Sequence, residues 1–530
     1  MVPQDPNDEP ASVLLERIAE ERDQLVKEKK IKKQKKLPEI SVDEIPFPLP
    51  AGWVFSRLGE LINSIQSGGT PSKRQPEFWE GDIPWASVKD LGVHRVINDT
   101  QDHITQEGLD AGSKLANEGD ILICTRMGLG KIAVCGRPIA INQDLKAVKL
   151  STSMDLDFFL VAYSTLKIEG TGTTVAGIKQ EELLNYPLGI PPVTEQKRIV
   201  AKVDELMALC DQLEEQTENN ITSHQVLVET LLGTLTQSQN ADELSENWQR
   251  LAEHFDTLFT TEHSIDQLKQ TILQLAVMGK LVPQDPNDEP ASVLLERIAT
   301  EKEQLIKDKK IKKQKPLPSI IEDEKLFGLP KGWEWTRFGE IFFDLKYGTS
   351  EKSDYGIDGQ PILRIPNVVN GYVSTKDLKF SKLSEKAALD LKLSIGDLLI
   401  IRSNGSVSIV GKSTVIDREM SGFGYAGYLV RARLPQEMVL PRLIKLMLDS
   451  SFVREQIEKP VRTTSGVKNV NSTELGQLKM PVMSLPEQHR IVAKVDQLIL
   501  LCDQLKARLQ ESQQTQLSLA EAITDQALQG

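Results

Sequence analysis

The chain repeats itself at long range. Residues 2–35 read VPQDPNDEPASVLLERIAEERDQLVKEKKIKKQK, and residues 282–315 read VPQDPNDEPASVLLERIATEKEQLIKDKKIKKQK, an offset of 280. Leu49-Pro50-Ala51-Gly52-Trp53 returns at the same offset as Leu329-Pro330-Lys331-Gly332-Trp333. Glu195–Asp204 returns as Glu487–Asp496, an offset of 292. Between these anchors, residues 55–190 and 335–482 share little beyond Gly119-Asp120-Ile121-Leu122-Ile123 against Gly396-Asp397-Leu398-Leu399-Ile400. Drift after duplication would not spare the frame while erasing the inserts. Two similar frames therefore carry two different surfaces. The closing residues Ile523–Gly530 also resemble Ile272–Gly279, which lead into the second copy. A cyclic repeat of this kind predicts neighbouring termini and a pseudo-two-fold relation between the halves.

A length of 530 residues suggests roughly three to four folding units. The repeat divides them as 1–46, a helix and basic linker; 47–190, the first insert; 191–326, a central helical region; 327–482, the second insert; and 483–530, a C-terminal helical region. No stretch approaches the about 18 apolar residues of a membrane span. Met1-Val2-Pro3-Gln4-Asp5 does not open a signal peptide. Cys124, Cys135, Cys210 and Cys502 form no CxxC pair and read as reduced thiols of a cytoplasmic protein. The net charge of −13 speaks against nucleic acid at first sight. It is unevenly placed: residues 47–190 hold 13 Lys and Arg against 17 Asp and Glu, and residues 327–480 hold 22 against 17. The second insert could present a basic face and the first would need local clustering; a tight, strongly salt-dependent DNA binder should show more basic excess than this, so any hold on DNA would call for partners.

After Glu487 the apolar residues Ile491, Val495, Leu498, Cys502, Leu505 and Leu509 follow a heptad seam, matched by Ile199, Val203, Leu206, Cys210 and Leu213. The spacing predicts two long helices packed as an antiparallel coiled coil, each a rod of roughly 60 Å. Cys210 and Cys502 then sit at equivalent seam positions as small buried hydrophobes. Residues 218–263 add helical sequence in which Trp248, Leu251, Phe255 and Leu258 space as one amphipathic helix. Asp8-Glu9-Pro10 begins another helix, with proline in its first turn and Val13, Leu14, Ile18 and Leu25 on one side. The lysine runs Lys27–Lys36 and Lys307–Lys315 follow. Phosphate contact is one reading; a solvated helix end leading into a Pro-rich linker is the plainer one. In the inserts, short β-type runs at 119–124, 131–135, 361–365, 396–402 and 407–411 predict mixed, mainly β domains. The fold class expected is α+β: two mixed α/β domains separated by long antiparallel coiled-coil helices in a pseudo-two-fold cyclic repeat.

Catalytic constellations are missing. The sequence has no (D/N)PP(Y/F) tetrapeptide for methylating a flipped adenine, no FxGxG, no HExxH and no paired CxxC for zinc. Gly405–Ser413 has five residues between its glycines where a P-loop has four, and reads as a β-hairpin.

Leu-Pro-x-Gly-Trp opening a domain, Gly68-Gly69-Thr70-Pro71-Ser72 with Ile83-Pro84-Trp85 inside it, and Pro-x-x-Glu-Gln-x-Arg-Ile-Val closing it resemble type I restriction–modification specificity subunits. The closing motif is Pro192–Val200, and Leu485–Val492 in the second copy. The duplicated VPQDPNDEPASVLLERIA segment resembles one subgroup of that family. The resemblance covers essentially the whole chain. It implies that each insert is a target recognition domain reading one half of a bipartite double-stranded DNA site, and that the helices set the spacer and dock two modification subunits. It implies no cofactor in this chain: S-adenosylmethionine, ATP and Mg would belong to the modification and restriction subunits. The second insert departs from the pattern, with Lys346-Tyr347-Gly348-Thr349-Ser350 in place of Gly-Gly-Thr-Pro-Ser.

Half-sites on a two-fold scaffold lie about one helical turn apart, near ~34 Å. Base reading needs forked donors, supported by phosphate contacts from Lys and small polar loops. In the first insert the candidates are Ser67, Gly68, Gly69, Thr70, Ser72, Lys73, Arg126, Thr171, Thr173, Thr174 and Lys179. In the second they are Lys346, Tyr347, Thr349, Ser350, Arg364, Asn367, Arg402, Asn404, Thr463, Thr464, Ser465, Lys468 and Asn469. Trp53 and Trp333 read as core anchors. A protein-binding coiled-coil adaptor without DNA specificity is the alternative; a self-sufficient enzyme is disfavoured by the missing motifs.

Overall fold

The computed structural model describes residues 2–45, 47–171, 176–239, 241–459, 462–464 and 467–529. It divides into two compact units, Met1–Thr217 and Glu218–Gly530. The N-terminal helix and linker, set apart at 1–46 in the sequence reading, belong to the first unit together with the insert that follows. Ala11, Leu14 and Ile18 of helix Ala11–Lys27 are buried against Leu58, Leu61, Phe158 and Phe159. Their repeats Ala291, Leu294 and Ile298 are buried in helix Ala291–Lys307. Pro10 precedes the first helix as its N-cap residue rather than lying inside its first turn.

The first insert contains β1 (Val54–Arg57), β2 (Ile62–Ser67), β3 (Trp79–Ala86), β4 (Val96–Ile97), β5 (Asp102–Ile104), β6 (Lys114–Ala116), β7 (Ile121–Cys124), β8 (Ile132–Cys135), β9 (Ile139–Ile141), β10 (Leu145–Leu150) and β11 (Pro187–Ile190). β1 pairs antiparallel with β11, so the insert leaves the frame where it enters. Two sheets follow, in the orders β2-β10-β7-β8-β4 and β5-β3-β9-β6. The second insert contains β12 (Glu334–Arg337), β13 (Asp344–Tyr347), β14 (Gln360–Leu363), β15 (Lys379–Ser381), β16 (Leu398–Ile401), β17 (Ser403–Asn404), β18 (Ser413–Val415), β19 (Gly424–Tyr425), β20 (Leu429–Arg433), β21 (Arg462–Thr464), β22 (Val467–Asn469) and β23 (Lys479–Val482). β12 and β23 again pair antiparallel. The sheets run β13-β20-β16-β18, β15-β14-β19 and β17-β22-β21.

Despite their different sequences, the inserts share a topology. The series β2-β10-β7-β8 corresponds to β13-β20-β16-β18, and β5-β3-β9 to β15-β14-β19, with β3–β9 and β14–β19 both parallel. The runs Ile121–Cys124 and Leu398–Ile401 are buried throughout, as continuous apolar strands at a sheet centre must be. The run 407–411, expected as a strand, is instead turn in the connection between β16 and β18, and Arg454 donates to the carbonyls of Val407, Ser408 and Val410.

The repeated motifs are latches. Arg57 is buried at 2% exposure and forks onto Glu44 at 2.7 and 2.8 Å, while also donating to the carbonyls of Pro38, Glu39 and Asn185. Arg337 repeats the pattern with Glu324, Pro318 and Gln477. In the closing motif, Arg198 pairs with Asp8 at 2.5 Å and Arg490 with Asp288 at 2.6 Å. Gln196 is fully buried and bridges the Pro191 carbonyl to the Asp155 amide; Gln488 does the same for Met438, Met483 and Leu440. Trp333 is buried and its indole N–H donates to Glu487 at 2.9 Å, a core anchor as expected.

Helices Val193–Gln237 and Leu485–Gln529 are each 45 residues long. In the second unit the seam Ile491, Val495 and Cys502 is buried against Glu262–Val277. The pairs Lys269–Asp503, Asp266–Lys506 and Glu262–Gln510 run in opposite order, so the two helices are antiparallel. The matching seams predict that the two long helices pair with one another; within the second unit the seam after Glu487 instead packs on the shorter helix Glu262–Val277. Cys502 is buried, but Cys210 is exposed with Leu206 and Leu213, contrary to the seam reading. The amphipathic helix expected through Trp248 and Leu258 is broken: Ala241–Glu253 ends before His254, and Phe255–Leu258 forms a separate turn that sets the Phe255 ring tilted against Phe259. Among the described residues no helix is long and apolar enough to cross a membrane.

Candidate nucleic-acid interface

In the first insert, three turns meet at one end of the five-stranded sheet. The loop after β2 carries Ser67–Lys73. Gly68 donates its amide to Leu145 O and Gly69 donates to Ile141 O, and a Cβ on Gly68 would lie 2.1 Å from Asn142 O. That glycine is required by close backbone approach, and it seats the loop on the β9–β10 turn. Thr70 donates to Gln143 Oε1, and Ser67 Oγ accepts from Lys146 Nζ at 2.6 Å. Ser72 and Lys73 are exposed further along the loop. The second turn leaves β7: Thr125 N donates to Asp144 O, and exposed Arg126 reaches Asp144 at 3.4 Å. The third is the late loop, where Thr171 and Arg126 both bridge to Gly177. Lys179 is exposed at the N-cap of the short helix Gln180–Leu184. Thr173 and Thr174 lie outside the described residues.

The second insert builds the same three turns. Gly348 N donates to Leu429 O and Thr349 N to Tyr425 O, and a Cβ on Gly348 would lie 2.2 Å from Ala426 O. Gly348 thus does what Gly68 does, although the surrounding motif differs. Arg402 N donates to Tyr428 O and Arg402 O accepts from Val470 N, as Thr125 does with Asp144 and Ile178. The equivalent of Arg126 is therefore Ser403, and Arg402 stands one position earlier. The late hairpin pairs Ser403 with Asn469 and Asn404 with Lys468. Thr463 pairs with Lys468 and Thr464 with Val467; Ser465 lies outside the described residues.

These turns gather Tyr347, Arg402, Asn404, Lys468 and Asn469. The Arg402 guanidinium lies 4.8 Å over the Tyr347 ring, a cation–π contact that fixes both groups, and Tyr347 OH accepts from Ser472 N at 2.8 Å. Arg402 Nη1 also donates to Gly427 O at 3.2 Å. Asn404 Oδ1 accepts from Ser406 N. Lys346 pairs with Asp390 at 2.7 Å, Thr349 Oγ1 accepts from Glu351 N, and Ser350 is exposed. Asn367 is a correction: it is 1% exposed, and its amide is consumed by Arg364 N, Ser374 O and Lys376 O, leaving nothing for a base. Arg364 is turned onto Asp377, donating to its carboxylate and carbonyl.

Three groups escaped the sequence reading. Gln143, an exposed forked amide, stands between Thr70 and buried Asp144. Among the described residues the half-buried Lys146 has no acidic partner, and burial lowers its pKa. Tyr428, 55% exposed, takes the place of Asp144. Gln143 sits on the β9–β10 turn and Tyr428 on its counterpart between β19 and β20, an equivalence that divergence between the inserts hid. Among the described residues no group of His, Cys, Asp and Glu could hold a metal ion. The Cys135 thiol is pushed up to about 12 by burial, so it is no nucleophile at neutral pH.

The family model for the type I restriction modification DNA specificity domain matches residues 50–223. The type I restriction enzyme EcoAI specificity subunit of Escherichia coli is 42% identical, over 100% of this chain and 91% of that protein. The EcoEI specificity subunit of Escherichia coli is 40% identical over the same shares. The solved HsdS subunit from Thermoanaerobacter tengcongensis aligns with 92% of this chain and 100% of its own, at 18% identity and a TM-score of 0.42.

Proposed function

Because the chain belongs to the family of type I restriction–modification DNA specificity subunits, we propose that its two inserts each read one half of a split DNA target. It is the non-catalytic DNA-recognition component of such a system, and it works in assembly with the other restriction–modification subunits and DNA. Residues 47–190 read one half-site and residues 327–482 the other. The observation that carries this reading is the shared frame. Three turns superpose in their backbone hydrogen bonds, yet present Thr125-Arg126, Asp144 and Gly177 in one insert and Arg402-Ser403, Tyr428 and Asn469 in the other. A constant backbone with exchanged donors and acceptors is what two different base sequences require.

The finer assignments follow. The long helices set the separation of the half-sites, and exposed Leu206, Leu209 and Leu213 supply an apolar face for a modification subunit. Two modification subunits bring S-adenosylmethionine and methylate adenine N6; restriction subunits bring ATP and Mg. The complex acts on cytoplasmic DNA. The test is to map N6-methyladenine in a methylation-free host that expresses the chain with its modification subunit. A two-part motif with a fixed gap, absent without this chain, is the expected result. Assembly without such a motif overturns the reading.

A further inference from the structure

Both lysine runs are held in one unusual conformation. Lys29 and Lys309 have φ of 57° and 60°, the left-handed turn that ends a helix. Past Ile31 and Ile311 the chain continues through residue 40 and residue 320 without helix or strand. Burial there repeats every third residue. Ile31, Gln34, Leu37 and Ile40 are half-buried, and Lys32, Lys33, Lys35 and Lys36 are exposed; Ile311, Gln314, Leu317 and Ile320 repeat the pattern, with Lys312, Lys313 and Lys315 exposed. A period of three belongs to the polyproline II helix, which has no internal hydrogen bonds and must be held by its support.

The support is present. Gln34 Nε2 donates to Ile62 O at 3.3 Å and Asn63 O at 3.4 Å, and Gln314 Oε1 accepts from Lys302 Nζ at 3.2 Å. Leu37 and Leu317 pack over Gly59 and Gly339. The carbonyls of Pro38 and Pro318 are bound by Arg57 and Arg337. A lysine run that served only as a solvated helix end would need none of these anchors.

In the second unit this strap lines a cleft of about 950 Å³, whose lining includes Lys346, Arg431 and Arg433. The acids in that lining, Asp344 and Asp390, already pair with Arg431 and Lys346. Among the described residues Lys312, Lys313 and Lys315 make no ion pair. Lys346 opens the candidate reading loop, so the cleft reaches it.

We infer that the two lysine straps grip the phosphate backbone of the DNA duplex beside each half-site. The inference rests on the DNA-reading proposal and adds contacts that read no sequence. A linear polyanion matches an extended row of unpaired ammonium groups, and such contacts set affinity and salt dependence. They also explain how a chain of net charge −13 holds DNA.

The test uses the chain assembled with its modification subunits, carrying K312Q/K313Q/K315Q, or K32Q/K33Q/K35Q, with the matching Lys→Arg sets as controls. DNA affinity of either Gln set should fall roughly 10- to 100-fold at ~0.15 M salt, and the slope of log K against log salt should lessen by about 2.7. The Arg sets should bind as the parent does. The methylated motif should be unchanged in all of them. Unaltered affinity and slope in the Gln sets, or loss of complex assembly with DNA binding spared, overturns the inference; the latter would make the straps docking sites for a modification subunit. If the parent complex itself methylates no split motif, it is the DNA-reading proposal that fails.

Discussion

Arg57 is almost wholly buried, yet every contact it makes was invisible to periodicity: its partners Pro38, Glu44 and Asn185 are dispersed along the chain. Arg57→Ala strands three carbonyls and a carboxylate and should cost about 3 kcal/mol, read from denaturant unfolding of the first unit's transition. The guanidinium holds the Glu44 carboxyl at about 2, against an ordinary 4.5. With the folded value depressed, the pair's stabilisation is present above pH 4.5 and lost as pH falls towards 2. Glu44→Gln should therefore lower the melting temperature at pH 7 and make little difference near pH 2. Glu324 beside Arg337 is shifted the same way. At the proposed reading surface, Arg126→Ala should weaken recognition by about 1–3 kcal/mol and relax one half of the target only. Methylation mapping of that variant checks it.

At the scale of elements, the sequence disclosed what was repeated and what was periodic. The frame helices, the buried strands at 121–124 and 398–401, and the apolar seam after Glu487 followed from spacing, whereas the pairing of the two long helices expected from their matching seams did not. Partner choice did not. The heptad positions of the C-terminal helix could specify an antiparallel neighbour but not that Glu262–Val277, with Lys269 opposite Asp503, would be the one. Asn367 was misread because a forked amide has the same letter whether it faces solvent or ties Ser374 to Lys376. The common topology of the inserts was hidden because backbone hydrogen bonds, rather than side chains, preserve it. Gly68 is the exception, since a Cβ there would strike Asn142 O. Gly68→Ala should leave the far-UV spectrum intact but displace the reading loop, lowering DNA affinity of the assembled complex at least tenfold in a titration. On the long helix, Leu206→Glu with Leu213→Glu should leave the first unit folded and abolish assembly with a modification subunit in size-exclusion chromatography.

For the whole molecule, the account is that duplication supplies a constant frame and divergence supplies two readers. The tied ends β1–β11 and β12–β23 return each insert to the frame where it leaves, which favours exchange of an insert as a unit, although helix Ala11–Lys27 also packs on Phe158 and Phe159 and Arg442 pairs with Asp496 of the closing helix. The most direct measurement exchanges residues 47–190 for the corresponding insert of a relative with a different target and maps N6-methyladenine in the host genome. The account predicts a split motif in which one half is new while the other half and the gap are retained. A motif altered in both halves, or unaltered in either, would contradict it.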